Sequence, residues 1–198
     1  MAAERDALPP TALFADGVAV HDGFVSCLRV RELRDCAQER RQRGDFHEAR
    51  IGAAERRQRR AEIRGDQICW IDAPLLPPET ALLDDLERLR LTLNRTAYLG
   101  LLDVELHYAW YSPGAGYARH VDQLQGQNHR QVSFVLYLNE GWTPACGGEL
   151  RLFEGAESLD IEPMAGRLVY FLTAGREHAV VPTHRDRLSI TGWFRRRQ

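Results

Sequence analysis

The sequence contains no lysine: all 26 basic residues are arginine, against 28 acidic residues and a formal net charge of −2. This near balance gives no general electrostatic attraction to nucleic acid or to a membrane surface, and we expect neither as a partner. The use of arginine alone is typical of a compositional bias in the genome. The absence of lysine has one functional consequence: a side chain that binds the carboxylate of a 2-oxoacid here has to be arginine.

Cysteines and long apolar runs are also scarce. The four cysteines, Cys27, Cys36, Cys69 and Cys146, form no CxxC pair and no metal-ligand spacing, which favours free thiols in a reducing compartment. The first residues lack the apolar core of a secretory signal. No apolar run approaches the ~18 residues that a membrane span needs. We therefore expect a cytoplasmic protein.

The length of 198 residues and a hydrophobic content of 44% predict one globular domain over residues 1–198. Apolar residues recur at helical spacing over residues 23–43 and 79–94, which predicts two amphipathic helices. A strand is predicted near residues 63–71. These elements would form a helical support over about residues 20–95.

After Gly100 the pattern changes to short strands separated by turn signals. Helices followed by strands predict an α+β fold, in which both helices lie against one face of a sheet. Eight strands suggest a double-sheet jelly roll (a double-stranded β-helix) with its core over about residues 100–196. The predicted strands are 103–111, 117–122, 131–139, 149–153, 159–163, 167–173, 177–182 and 187–194.

Four residues in the strand region carry the chemical signal. His120 and Asp122 are two positions apart and can point to the same side of a strand. With His178 they supply the two imidazoles and one carboxylate of a facial iron(II) triad, which leaves coordination positions open for dioxygen and a co-substrate. Arg187 lies nine positions after His178. A guanidinium there could bind the far carboxylate of a 2-oxoacid through two parallel hydrogen bonds.

A His-x-Asp pair alone is a weak signal. A second pair begins at His184, but no histidine follows it to complete a triad. The other histidines, His21, His47, His107 and His129, are typical of surface residues or hydrogen-bonded core residues. His107 differs from these in one respect, because it shares a predicted strand face with Tyr111.

The region around these residues resembles the iron- and 2-oxoglutarate-dependent dioxygenases, and within them the prolyl 4-hydroxylases. Tyr111, a Ser-Pro-Gly-Ala-Gly turn and the run Tyr117-Ala-Arg-His120-Val-Asp122 match the motif of that family. Further segments are similar to the oxygen-sensing subgroup, which contains the hypoxia-inducible-factor prolyl hydroxylases and their bacterial relatives. These segments are 63–70, 135–139, 147–153 and 161–163.

This resemblance implies that His120, Asp122 and His178 bind iron(II) as the catalytic metal. It implies that Arg187 binds the distal carboxylate of 2-oxoglutarate. Dioxygen would be the other co-substrate, and ascorbate is a candidate reductant. The resemblance adds three residues to the 2-oxoglutarate site, namely Tyr111, Tyr137 and Thr191.

The resemblance also implies that Arg130 and Trp193 face a peptide substrate. The arginine-rich segment 48–62 takes the place of a mobile substrate-covering loop, although its composition is equally typical of a solvated surface loop. The bacterial relatives suggest a translation factor such as elongation factor Tu as the protein substrate.

The implied reaction is hydroxylation of C4 of a prolyl residue in a protein, with release of succinate and CO2. Two alternatives remain open. One is an oxygenase of a free amino acid or another small molecule, which a closed pocket would favour. The other is a non-catalytic binding module on the same fold, against which the intact triad argues. Nucleic-acid demethylation is disfavoured, because the arginine and asparagine pattern of those enzymes is absent after Arg187.

Overall fold

A computed structural model describes residues 17–49, 63–123 and 129–197 of the chain. The helices in these ranges are α1 (Cys27–Gln42) and α2 (Pro77–Ala97), with a short 3-10 turn at Pro144–Cys146. The strands are β1 (Val18–His21), β2 (His47–Glu48), β3 (Asp66–Trp70), β4 (Asp103–Tyr111), β5 (Tyr117–His120), β6 (Arg130–Tyr137), β7 (Leu150–Glu154), β8 (Glu157–Ile161), β9 (Leu168–Leu172), β10 (His178–Val180) and β11 (Arg187–Arg195). The eight strands expected after Gly100 are all confirmed, as β4 to β11.

The strands form two antiparallel sheets. The larger sheet has the order β1-β9-β6-β11-β4-β3-β2, and the smaller has the order β5-β10-β7-β8. Each pairing between neighbouring strands is antiparallel. Two such sheets with helices ahead of them in the chain confirm the α+β jelly roll.

Both helices pack against one face of the larger sheet, as predicted. Leu33 of α1 and Leu82 and Leu86 of α2 are completely buried in one core cluster with that face. Full burial of a leucine contributes about 1.5–3 kcal/mol, so this layer is a large part of the stability of the fold. No helix in the described ranges is both long and apolar enough to cross a bilayer. The sheet residues in the cluster include Leu106, Tyr108, Trp110, Phe134, Leu136, Ile190 and Phe194.

A buried ion pair fixes the two helices to each other. Glu79 of α2 is fully buried and accepts two hydrogen bonds of 2.7 Å from Arg40 of α1. Its carboxylate also accepts from the backbone N–H of Leu76 at 2.9 Å, which satisfies one of the exposed donors at the start of α2. The helix begins at Pro77, two residues earlier than predicted, because proline is well suited to the first position of a helix.

The other face of the larger sheet lies against the smaller sheet. Val135, Tyr137 and Val169 from the larger sheet pack with Leu150 and Leu152 from the smaller one. Phe134 and Leu136, which alternate with these residues along β6, face the helices instead. We call the side that faces the smaller sheet the inner face.

The arginine-rich segment 48–62 is described only at residues 48 and 49. Its expected role as a substrate-covering loop lies outside the described residues.

Candidate metal and co-substrate site

The three side chains expected to bind a metal converge at one end of the two sheets. His120 is the last residue of β5, and His178 is the first residue of β10, directly opposite it in the register. The Nε2 atoms of His120 and His178 lie 3.7 Å and 3.6 Å from Oδ1 of Asp122. Asp122 itself lies beyond the end of β5, so strand alternation alone does not orient its carboxylate.

Both imidazoles are held in the orientation that metal binding requires. Nδ1 of His120 lies 2.8 Å from the carbonyl oxygen of Ala118, and Nδ1 of His178 lies 3.1 Å from that of Arg176. A carbonyl oxygen only accepts, so each Nδ1 carries the hydrogen and each Nε2 has a free lone pair. Burial, with the neighbouring His178 as the second cause, lowers the pKa of His120 to about 3. This imidazole is therefore neutral at physiological pH.

The carboxylate of Asp122 is fixed by two donors on one oxygen. Its Oδ2 accepts from the hydroxyl of Ser133 at 2.7 Å and from Nε1 of Trp193 at 2.8 Å. Burial acts to raise the pKa of Asp122, but the two imidazoles and these two donors outweigh it and lower the pKa. The carboxylate is thus ionised, with Oδ1 turned to the imidazoles.

This donor set fits a divalent iron ion. Adjacent donors of an octahedral ion, each at about 2.1 Å from the metal, lie roughly 3 Å apart. The observed separations of 3.6 and 3.7 Å need only a small inward movement. One ligand atom from each of the three residues lies within 4.8 Å of the others. Two imidazoles and one carboxylate on one side of an ion match the facial triad.

Arg187 forms a second centre of the site and is almost completely buried, with an exposure of 1%. Its guanidinium carbon lies 5.0 Å from the ring centre of Tyr111 and 5.2 Å from that of Tyr137. Nε donates to the carbonyl of Gly148 at 2.8 Å, and Nη1 donates to the hydroxyl of Ser189 at 3.2 Å. No carboxylate of the described residues pairs with it. A buried charge without a counterion is costly, so this arrangement is typical of a binding site for a ligand carboxylate.

Further groups with free polar atoms or little bulk lie beside Arg187. The hydroxyl of Tyr137 is buried and has no hydrogen-bond partner among the described residues. Burial raises its pKa to about 12, so it is available as a neutral donor. Gly148 has a φ of +73°, and a Cβ there would lie 3.0 Å from Cδ of Arg187, so glycine is required for this close approach. Thr191 is half-buried on the same side of β11 as Arg187.

The two residues expected to face a substrate lie beside the metal triad. Trp193 has an exposure of 5%, and its indole N–H is used by Asp122. The guanidinium carbon of Arg130 lies 3.6 Å from the ring centre of Trp193, and its Nε donates to Glu105 at 2.7 Å. The indole N–H of Trp193 and one face of its ring are therefore already in contact with other residues of the protein.

Several supporting residues had no role assigned from the sequence. The ring of Tyr117 stacks on His120 with 3.5 Å between ring centres. The guanidinium carbon of Arg64 lies 4.8 Å from the centre of the Tyr117 ring, and Arg64 pairs with buried Asp66 at 2.8 Å. Strand alternation places Ser133 on the inner face, so the sequence pattern could have identified Ser133 as a residue near the site. The contact of Arg64 with Tyr117 comes from an isolated bridge between distant segments, for which no local pattern exists.

We expect Ser133→Ala to weaken metal binding without unfolding the protein. The change removes one of the two donors to Oδ2 of Asp122, and loss of such a contact typically reduces metal affinity about 10-fold or more. Calorimetric titration with Mn(II) measures this effect. Ser158→Ala, at an exposed position of β8, is the matched control and should bind normally. An unchanged affinity in the Ser133 variant would show that this hydrogen bond does not position the ligand.

Residues 106–195 match the family model of the 2OG-Fe(II) oxygenase superfamily. The chain is 31% identical to Egl nine homolog 1 of Mus musculus over 192 residues, which cover 90% of this chain and 46% of that protein. It therefore spans about half the length of this curated relative.

Solved structures show the same similarity over nearly the whole chain. A Pseudomonas putida prolyl-4-hydroxylase is 41% identical with a TM-score of 0.86, and the match covers 96% of this chain and 98% of that one. A prolyl hydroxylase from Trichoplax adhaerens, solved with a peptide fragment of the hypoxia inducible factor oxygen degradation domain, is 26% identical with a TM-score of 0.86. That match covers 94% of this chain and 87% of the other.

Proposed function

The chain belongs to the 2OG-Fe(II) oxygenase superfamily, and on that premise we propose that it hydroxylates C4 of a prolyl residue in a protein substrate. The reaction consumes dioxygen and 2-oxoglutarate, places one oxygen atom on the prolyl ring and releases succinate and CO2. The observation that carries the proposal is the coexistence of the metal triad with buried Arg187, which has no carboxylate partner among the described residues, between the same two sheets.

Each site residue has a defined task in this proposal. His120 and His178 would hold iron(II) through Nε2, and Asp122 would hold it through Oδ1. When bound, the metal supplies the activation of dioxygen, which protein side chains alone do not provide. The hydrogen bonds on each Nδ1 and on Oδ2 keep the three ligands in place before the metal arrives.

The pocket at Arg187 would fix the co-substrate. The guanidinium of Arg187 would bind the distal carboxylate of 2-oxoglutarate, which would supply the counterion that the described residues lack. The free hydroxyl of Tyr137 would donate to the same carboxylate. Tyr111 and Thr191 would form the walls of this pocket, and its burial excludes water from the co-substrate.

A peptide substrate is supported by the relatives that are named as prolyl hydroxylases, one of them solved with a peptide fragment. We propose a translation factor such as elongation factor Tu as the first protein to test, on the basis of the similarity to bacterial enzymes. Arg130 and Trp193, which stack beside the metal triad, are the residues we propose for peptide contact. The free state of all four cysteines agrees with a cytoplasmic location.

The test is incubation of the protein with Fe(II), 2-oxoglutarate, ascorbate and candidate proline-containing proteins. We expect substrate-dependent succinate release and a gain of one oxygen atom on a prolyl residue, located by fragmentation mass spectrometry. The control is the same substrate with the target proline replaced by alanine, which should gain no oxygen. Succinate release driven by a free amino acid, with every protein unmodified, would instead support the small-molecule alternative.

A further inference from the structure

A buried histidine outside the triad lies on the inner face of the larger sheet. His107 of β4 has an exposure of 1% and pairs with Thr191 of β11 and Trp70 of β3 in the register of the sheet. Its ring lies between two indoles, with ring centres 4.9 Å from Trp70 and 5.5 Å from Trp193. It therefore belongs to the same layer as the residues of the metal and co-substrate site.

Neither ring nitrogen of His107 has a hydrogen-bond partner among the described residues. Leaving buried polar groups unsatisfied costs about 1–3 kcal/mol, and an apolar side chain of similar size would avoid that cost. The expectation of a hydrogen-bonded core histidine is therefore wrong for this residue. Burial lowers its pKa to about 3, so the ring is neutral and offers one N–H donor. Unsatisfied buried groups of this kind call for a partner, and the described residues do not supply one.

The position of His107 along the sheet indicates which partner this is. The inner-face residues of β11 run from Arg187 through Ser189 and Thr191 to Trp193, which bonds the metal ligand Asp122. His107 lies directly opposite Thr191, one inner-face step before Trp193. It is therefore at the metal end of this row, whereas Arg187 is at the other end.

We propose that His107 is a positioning residue for the co-substrate and donates a hydrogen bond to the metal-proximal carboxylate of 2-oxoglutarate. This assignment rests on the proposed function and adds a second protein contact at the end of the co-substrate opposite Arg187. A neutral donor is suited to this place, because the metal and the guanidinium already supply the positive charge. The flanking rings of Trp70 and Trp193 hold the imidazole in one orientation.

Binding of 2-oxoglutarate to the Mn(II)-loaded protein without oxygen tests this proposal, by calorimetry and by the fluorescence of the flanking tryptophans. We expect His107→Met to weaken 2-oxoglutarate binding about 10- to 100-fold, as expected for loss of a hydrogen bond to a charged group. His107→Gln, which keeps an N–H donor, should recover most of the affinity. Mn(II) binding alone should stay unchanged in both, and the melting temperature of the ligand-free methionine variant should rise.

Two controls separate the contact from general damage to the site. His21→Met, at the far edge of the same sheet, should bind 2-oxoglutarate normally. The analogue 4-oxopentanoate keeps the keto group and the distal carboxylate but has a methyl group in place of the other carboxylate. His107→Met should bind this analogue as the wild type does. An equal loss of affinity for 2-oxoglutarate and for the analogue would overturn the assignment.

The possible outcomes are distinct for the two proposals. Failure of the wild type to bind 2-oxoglutarate with Mn(II) present contradicts the proposed function itself. If the wild type and His107→Met bind 2-oxoglutarate equally well, only the role of His107 is overturned. The same holds if His107→Gln binds 2-oxoglutarate as weakly as His107→Met does. His107→Leu removes the same donor and replaces the methionine variant if that protein does not fold.

Discussion

Arg187→Met should abolish 2-oxoglutarate-dependent turnover and leave the protein folded. In the proposed complex the guanidinium lies beside the rings of Tyr111 and Tyr137, and its bidentate pairing with a carboxylate is among the stronger protein–ligand contacts. Truncation of one partner of a buried charge pair costs about 2–5 kcal/mol, so we expect roughly 30- to 4000-fold weaker 2-oxoglutarate binding. The measurements are succinate release under steady-state conditions and calorimetric binding of 2-oxoglutarate.

The same substitution should raise the stability of the ligand-free protein. Arg187 is buried without a carboxylate partner among the described residues, and methionine fills a similar volume without a charge to desolvate. Replacement of buried charges by apolar residues is often neutral or stabilising by about 1–4 kcal/mol. Thermal unfolding without ligand should therefore show an equal or higher melting temperature.

Arg185→Met is the matched control, because Arg185 is exposed and donates to the backbone carbonyl of Gly141 at 3.2 Å. This variant should retain turnover and 2-oxoglutarate affinity. Normal turnover in Arg187→Met would refute the assignment of the anchor. A large loss of stability in ligand-free Arg187→Met would contradict the interpretation of Arg187 as a buried charge whose counterion is the ligand carboxylate.

Asp122→Ala should remove metal binding and, with it, all turnover. A structural zinc site of four ligands contributes about 10–16 kcal/mol, which is roughly 3 kcal/mol or about 10²-fold in affinity for each ligand. Asp122 is the only anionic ligand of the proposed triad, so we expect at least this loss. The hydrogen-bond donors of Ser133 and Trp193 also lose their acceptor in this variant, so we expect a modest decrease in its melting temperature.

The second His-x-Asp pair offers a matched control for this experiment. Asp186 stands two positions after His184 and is exposed, and Asp186→Ala should bind Mn(II) and turn over 2-oxoglutarate normally. Binding of Mn(II) is measured by calorimetry in all three proteins. Wild-type metal affinity in Asp122→Ala would show that the triad is not the metal site.

The jelly-roll core was predictable because its strands carry a strong alternating pattern. Residues 103–111 were predicted as a strand and form β4 with the same bounds. The helices were also found, but their ends depend on local contacts. Helix α1 begins after Ser26, whose side chain accepts from the backbone N–H of Arg29 at 3.2 Å, and not at Gly23.

Elements defined only by distant pairing could not be read from the sequence. Strand β1 has four residues and is held at the sheet edge by β9, from the other end of the chain. Strand β2 has two residues and pairs with β3 at the other edge of the sheet. Segments this short contain too few positions to show a period. Their existence follows from the register of partners that are far away in the chain.

The part of the candidate site that could be predicted from the sequence is the set of residues whose type is specific to metal or carboxylate binding. The triad and Arg187 could be named as candidates in advance, because two imidazoles and a carboxylate at this spacing, followed by an arginine, match a known family motif. The contacts that orient them could not be, since Ser133 meets Asp122 and Tyr117 meets His120 only in the folded chain. The unsatisfied state of His107 likewise depends on its surroundings and not on its position in the sequence.

The most direct test of the account is the fate of isotopically labelled dioxygen. The wild type, supplied with Fe(II), 2-oxoglutarate and a proline-containing protein substrate, should place one labelled atom in succinate and one on C4 of a single prolyl residue. The amounts of succinate and hydroxylated protein should match, and Arg187→Met should produce neither. Oxygen in the prolyl product that comes from water, or prolyl hydroxylation that proceeds without 2-oxoglutarate, would contradict the account.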